Sequence, residues 1–241
     1  MDTSTTATAA PTAPPAHLRG FREDDARAVR RVWRESIVLG SPLPFEALDL
    51  HAYEHLSLAW YLDPDNRASG AADVVVVEED GELRGYALAC LDQRAHERWV
   101  HRAAVRWTLG AVAAWPRLSP DGRQFVRLRV RDGLHALRHQ PPAPFPAHMH
   151  LNLDPALRGA HIGHHLVGWI DALVRDAGLD GYFGEVNMPR GRSVRAIEAA
   201  GATVTARVPN QTFSWLLRTP VDRCIVARPL ADRTDTVPLP D

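Results

Sequence analysis

Ala147-His148-Met149-His150-Leu151-Asn152-Leu153-Asp154-Pro155-Ala156-Leu157-Arg158-Gly159-Ala160-His161-Ile162-Gly163-His164-His165-Leu166 is the stretch whose reading decides the fold. Residues 147–154 alternate and read as a strand. Residues 162–177 have helical spacing, with Ile162, Leu166, Ile170, Leu173 and Val174 on one side, the side expected to face a sheet. Between them lies a short glycine-containing turn. A strand, a glycine turn and a helix form a phosphate-binding layout. The first N–H groups of a helix have no intrahelical partner and carry the positive end of its dipole. Glycine lets an anion approach that backbone closely. His161 stands in this turn where a further glycine is expected.

Working outward, Gly178 ends the helix. Residues 181–186 form a strand parallel to the one at 147–154, because a helix connects the two. Residues 190–200 read as a second crossover helix ended by Gly201. Residues 203–208 and 223–228 read as closing strands, with 213–217 as a third candidate. Upstream, the four valines Val74, Val75, Val76 and Val77 mark a buried strand at 73–79. Asp80-Gly81 is a two-residue hairpin turn, with 83–91 as the antiparallel partner. A first strand is expected at 17–22 and a helix from Glu23, carrying Ala28, Val32 and Ile37. A second helix is expected at 45–62, then turns at 63–66 and 69–70.

The region before the decisive stretch reads as helices over 98–115 and 125–137, the latter begun by Ser119-Pro120, and then a stiff linker at 141–146. Together these predict an α/β fold, in the α+β sense of a mixed sheet flanked by helices. One domain is expected at 17–230, with a mostly helical insertion at about 94–146. A disordered tail is expected at 1–16 and a loose one at 231–241.

The chain has 241 residues and a net charge of -1, so no global field favours nucleic acid. Its longest apolar runs, 71–77 and 109–115, are too short to span a bilayer. The Thr/Ala/Pro-rich start lacks the basic region and apolar core of a signal peptide, which points to the cytoplasm. Cys90 and Cys224, the only cysteines, sit in strand-like apolar runs and read as buried free thiols. Every basic residue is arginine. Without lysine there is no Schiff base, no Walker A site and no kinase strand lysine.

The order of elements resembles the GCN5-related N-acetyltransferase superfamily. The resemblance spans about 17–230 and is sharpest at 147–208. That family places Gln/Arg-x-x-Gly-x-Gly/Ala after its fourth strand; here the turn reads Arg158-Gly159-Ala160-His161-Ile162-Gly163. Leu153-Asp154-Pro155 is similar to the Val-x-Pro that often precedes it. Pro146-Ala147-His148-Met149-His150 resembles a bacterial branch. The resemblance implies acetyl-CoA as co-substrate, its pyrophosphate held by Arg158, Gly159, Ala160, His161, Ile162, Gly163 and His164. It further implies that the fourth and fifth strands splay apart. The pantetheine arm would pair with the backbone from Leu151 to Leu153, and an N–H near Leu153 would polarise the thioester carbonyl. The implied reaction is direct attack by an amine of a small molecule or peptide in a ternary complex. Neither nucleic acid nor membrane is an expected partner, and homodimer formation is left open. The chain departs from the family pattern at His161, at Arg190 (an Asn is common), at Ile197 (a proton-donating Tyr is common) and at Ala202. A family member that binds acyl-CoA without transfer is the alternative.

An amine nucleophile must lose a proton. His148 and His150 project to one side of their strand and are the candidate bases, His150 first. Glu185, near the end of the next strand, is the third candidate; its alternative is a salt bridge to an arginine. His161, His164 and His165, with His148 and His150, raise a metal reading. No His-Glu-x-x-His or Cys-x-x-Cys supports it, and no metal ligands are assigned. Trp60, Trp99, Trp107 and Trp115 are either packing residues or the lining of an acceptor pocket.

Overall fold

The computed structural model describes residues 16–44, 50–139, 143–157 and 162–230. Residues 1–15 of the tail expected at 1–16, the tail at 231–241, the helix start at 45–49, residues 141–142 of the expected linker and the turn residues Arg158, Gly159, Ala160 and His161 lie outside them.

The strands are β1 (His17–Gly20), β2 (Ala72–Glu79), β3 (Glu82–Cys90), β4 (Ala147–Leu153), β5 (Gly181–Pro189), β6 (Thr203–Pro209) and β7 (Val221–Pro229). The helices are α1 (Ala26–Ser36), α2 (Leu50–Leu62), α3 (Pro64–Ala68), α4 (Gln93–Ala113), α5 (Pro120–His139), α6 (Ile162–Asp176), α7 (Arg195–Ala199) and α8 (Gln211–Leu217). One mixed sheet runs β1-β2-β3-β4-β5-β7-β6. Every neighbouring pair is antiparallel except β4–β5, which is parallel, as a helical crossover requires.

The two faces of the sheet bury different helices. Val74, Val76, Tyr86 and Leu88 pack with Val29, Trp33, Leu58 and Phe125 from α1, α2 and α5. Val75, Val77, Ala87 and Ala89 pack with Leu166, Ile170 and Val174 of α6. The valine run therefore serves both faces, as a central strand must. The expected apolar side of α6 is the buried one, with Leu173 at its margin. Cys90 and Cys224 are both free and buried.

The Asp80-Gly81 turn has φ of +54° and +75° at its two residues, the signature of a type I′ hairpin. Gly178, at φ +69°, stops α6.

Four expectations are corrected. The turn at 63–66 is the start of α3: Asp63 accepts from the Asp65 N–H at 2.9 Å, and Pro64 fills the first helical position. The helix at 98–115 begins earlier, at Gln93, where Asp92 caps the Ala95 N–H at 2.9 Å. The crossover at 190–200 is helical only over Arg195–Ala199, because β5 runs on to Pro189 and Gly191 turns at φ +82°. The third candidate strand at 213–217 is helix α8: Asn210 caps the Phe213 N–H at 3.0 Å, and Asp132 of α5 accepts the N–H groups of Gln211 and Thr212.

Gly181 starts β5 in a confined place. A Cβ there would lie 2.6 Å from the Arg228 carbonyl oxygen and 2.7 Å from the Phe145 ring. Backbone cannot retreat as a side-chain tip can. Gly181→Ala is expected to destabilise by about 1–3 kcal/mol, read from the shift of a urea midpoint. A change within about 0.5 kcal/mol would show that Phe145 and β7 move aside freely.

Candidate functional site

β4 and β5 pair only at Ala147↔Tyr182, His148↔Phe183 and Met149↔Gly184. Both strands continue, β4 to Leu153 and β5 to Pro189, without pairing further. The sheet therefore opens into a wedge. Its closed end is at Met149. Its open end is where β4 delivers the chain toward the start of α6. β4 remains paired on its other side, with Gly85↔Leu153 through Cys90↔His148, so its free edge is held rigidly.

Alternation decides which side chains flank the wedge. His148, His150 and Asn152 share the α1–α2 face. His148 meets Tyr61, and both His150 and Asn152 meet Tyr86. Leu151 and Leu153 point to the α6 face and pack in its core, so only their backbones border the opening. On β5, Phe183 lies 5.6 Å from His148, centroid to centroid, which puts Glu185 and Asn187 on the histidine face. The expected pair of same-side histidines is present, with the carboxylate on the opposite wall.

The three candidate bases differ in their surroundings. His148 is committed: Gln93 Oε1 and the Tyr61 hydroxyl each hold one ring nitrogen. Burial, together with His96 and His150 nearby, holds its pKa well below the usual imidazole value. Nε2 of His150 is buried and has no hydrogen-bond partner among the described residues. Burial pulls this residue's pKa down to about 4, so it stays neutral near pH 7. Glu185 is partly exposed and takes a 3.4 Å contact from Arg223, the salt bridge foreseen as its alternative role. Asn187 accepts from Asn210 Nδ2 at 2.7 Å, which ties the β5 wall to the cap of α8.

Of the expected phosphate turn, Ile162, Gly163 and His164 are described. Ile162 is buried, so it offers only backbone. Gly163 and His164 are exposed in the first turn of α6. Ile197, at the position where a proton donor is common, is a half-buried aliphatic in α7.

Tyr61, Gln93, His96 and Asn152 were not foreseen as neighbours of the site. Asn152 was legible from period-two alternation with His150. The others come from α2 and α4, and no local spacing announces them. Trp60 is core, while Trp99 and Trp107 line a groove of about 390 Å³ between α2 and α4, with His55, Arg102 and Arg106 beside them. Trp115 packs under Arg127, 5.2 Å from ring to guanidinium.

No protein-family model and no curated protein matches the sequence. Solved structures do match in shape. yncA of Salmonella typhimurium, assigned as an acetyltransferase and solved with acetyl-CoA, aligns with TM-score 0.51 and 17% identity over 93% of this chain and 99% of its own. The ribosomal-protein-S5-alanine acetyltransferase of Vibrio fischeri aligns with TM-score 0.52 and 12% identity over 93% and 100%. A GCN5-related N-acetyltransferase of Kribbella flavida aligns with TM-score 0.51 and 14% identity over 89% and 98%. This likeness in shape shows the fold: the chain has the GCN5-related N-acetyltransferase fold.

Proposed function

We propose that this protein is an acyl-CoA-dependent N-acyltransferase, using acetyl-CoA and an acceptor amine in a ternary complex. The observation that carries the reading is the wedge between β4 and β5. An unpaired strand edge at Leu151–Leu153 offers donors and acceptors to the amide-bearing pantetheine arm, as one strand offers them to another. The wedge opens toward the start of α6, whose first N–H groups suit the pyrophosphate. The thioester then lies between the His150 wall and the Glu185 wall.

In this arrangement the amine attacks the thioester carbon, and the carbonyl oxygen develops negative charge toward an N–H near Leu153. The C–N bond forms and the C–S bond breaks. The amine proton passes to Glu185, directly or through water, and the CoA thiolate leaves as an anion or takes a proton from water. His150, neutral and with a free ring nitrogen, orients the amine by a hydrogen bond. Among the three candidates, His148 is the least available, since both its nitrogens are held. The helices from 93 to 139 border the acceptor side.

Isothermal titration of the full chain with acetyl-CoA is expected to show saturable binding, and CoA release should appear with some member of a broad amine panel. Absence of binding would sink the proposal. Glu185→Gln is expected to keep acetyl-CoA affinity and lower turnover by about 10²–10⁴. Unchanged turnover would remove Glu185 from the proton path.

A second reading, acyl-CoA binding without transfer, is favoured by one observation: Ile197 cannot protonate the leaving thiolate. Tight binding with no turnover on any amine would select it.

A further inference from the structure

One cluster of donor groups beside the wedge is not used in the acyl transfer. The Cys90 thiol, a His96 ring nitrogen and a His148 ring nitrogen all lie within 4.8 Å of one another. They come from three elements, the end of β3, the first turns of α4 and the start of β4. Cys90 is fully buried, whereas His96 and His148 are half-buried.

The surroundings are those of a ligand set. The Trp60 indole N–H and the Asp92 backbone N–H lie near the Cys90 sulfur, and the indole N–H makes no hydrogen bond among the described residues. Burial pushes the Cys90 thiol up to about 12, so its proton leaves only when a cation takes its place. Gln93 donates its amide N–H to Glu97 Oε1 at 2.9 Å, which turns Gln93 Oε1 toward His148 Nδ1. An acceptor at Nδ1 places the ring proton there and leaves the Nε2 lone pair outward, as carbonyl partners do for metal-bound histidines. That lone pair now meets the Tyr61 hydroxyl. The His96 ring lies 4.6 Å from that of His148, centroid to centroid, tilted by 52°, and makes no ring hydrogen bond among the described residues.

We infer that Cys90, His96 and His148 bind a zinc-class divalent ion, with the fourth position open toward Tyr61. One thiolate and two imidazoles suit a borderline-soft ion, and three protein ligands with one open position are the pattern of a reactive rather than a structural site. Metal–sulfur and metal–nitrogen bonds of about 2.0–2.3 Å put tetrahedral donors about 3.5 Å apart, so closure needs side-chain rotation of about 1 Å. On binding, the thiol proton leaves to solvent, sulfur and the two nitrogens donate to the ion, and the Tyr61 hydroxyl is freed to face the fourth position. The inference is independent of the acyl-transfer reading.

The test uses tag-free full-length protein and cobalt(II) as the probe. Wild type is expected to develop a near-ultraviolet thiolate-to-cobalt charge-transfer band that zinc removes. Cys90 and Cys224 are the only thiols. Cys224→Ala should keep the band and Cys90→Ser should lose it. His96→Ala should weaken cobalt binding at least about tenfold, while His165→Ala should not change it. No band in wild type, or a band that Cys224→Ala abolishes, overturns the inference. The wild-type and Cys224→Ala measurements decide even if Cys90→Ser fails to fold. Acetyl-CoA titration of the same samples separates the two proposals: a cobalt band without acetyl-CoA binding sinks only the transferase reading.

Discussion

Asp171→Ala is expected to lower the unfolding free energy by about 3–5 kcal/mol, the largest single-site effect on stability that the structure predicts. Asp171 of α6 is 6% exposed and Arg228 of β7 is 8% exposed. Arg228 Nε donates to one carboxylate oxygen at 2.7 Å and Nη2 to the second at 2.5 Å, a bidentate pair. The Tyr182 hydroxyl donates to the same carboxylate at 2.8 Å. Arg228 also donates to the Ala200 carbonyl. The carboxylate raises the guanidinium's pKa, and even without it an arginine keeps its charge, because its ordinary pKa lies far above neutrality. Truncation leaves a buried cation and a buried hydroxyl without their acceptor, and that desolvation dominates the lost attraction. Denaturant midpoints measure the effect. A loss below about 1 kcal/mol would mean that water enters and solvates Arg228. Replacing both partners, Asp171→Leu with Arg228→Met, should recover much of the loss, since no charge is then stranded.

Gly163→Trp is expected to reduce acetyl-CoA affinity at least about 100-fold, or about 2.7 kcal/mol, while leaving the fold intact. A Cβ at Gly163 meets nothing within 4 Å, and the residue is exposed in the first turn of α6. An indole there extends into the space in front of the helix N-terminus, where the proposal puts the pyrophosphate. Because the site is exposed and helical, and Gly is among the poorest helix formers, stability should change by no more than about 0.5 kcal/mol or rise. Titration calorimetry beside thermal melting checks both halves. Retained affinity would place the phosphate elsewhere. A collapse of the melting transition would mean that the substitution reports on folding and not on the ligand.

What could be read from residues alone follows the range of the forces involved. The Asp80-Gly81 hairpin, the valine strand, the amphipathic face of α6 and its Gly178 stop are local patterns, and each stands where expected. The Asp63-Pro64 cap was equally local but was read as a turn, because both residues serve turns as well as helix starts. Helix α8 was ambiguous for a different reason. Its seven residues carry too few turns to show a period, and what holds it includes Asp132, 79 residues from Gln211. The same-side histidines of β4 were legible by alternation. Their neutrality was not, since burial comes from helices packed over them. The Asp171–Arg228 pair, 57 residues apart, and the meeting of Cys90, His96 and His148 follow from strand register, which no short window contains.

The wedge also has a mechanical meaning. Three residue pairs are all that join β1–β4 to β5–β7–β6 along the sheet, so this seam is its weakest line. The crossover through α6 and its Asp171 clasp on β7 bridge the two halves from behind. A ligand lying along the β4 edge would act as a partial strand across the seam and splice the halves into one cooperative unit. Amide hydrogens of β5 and β7, far from any contact with the ligand, should then exchange more slowly in its presence.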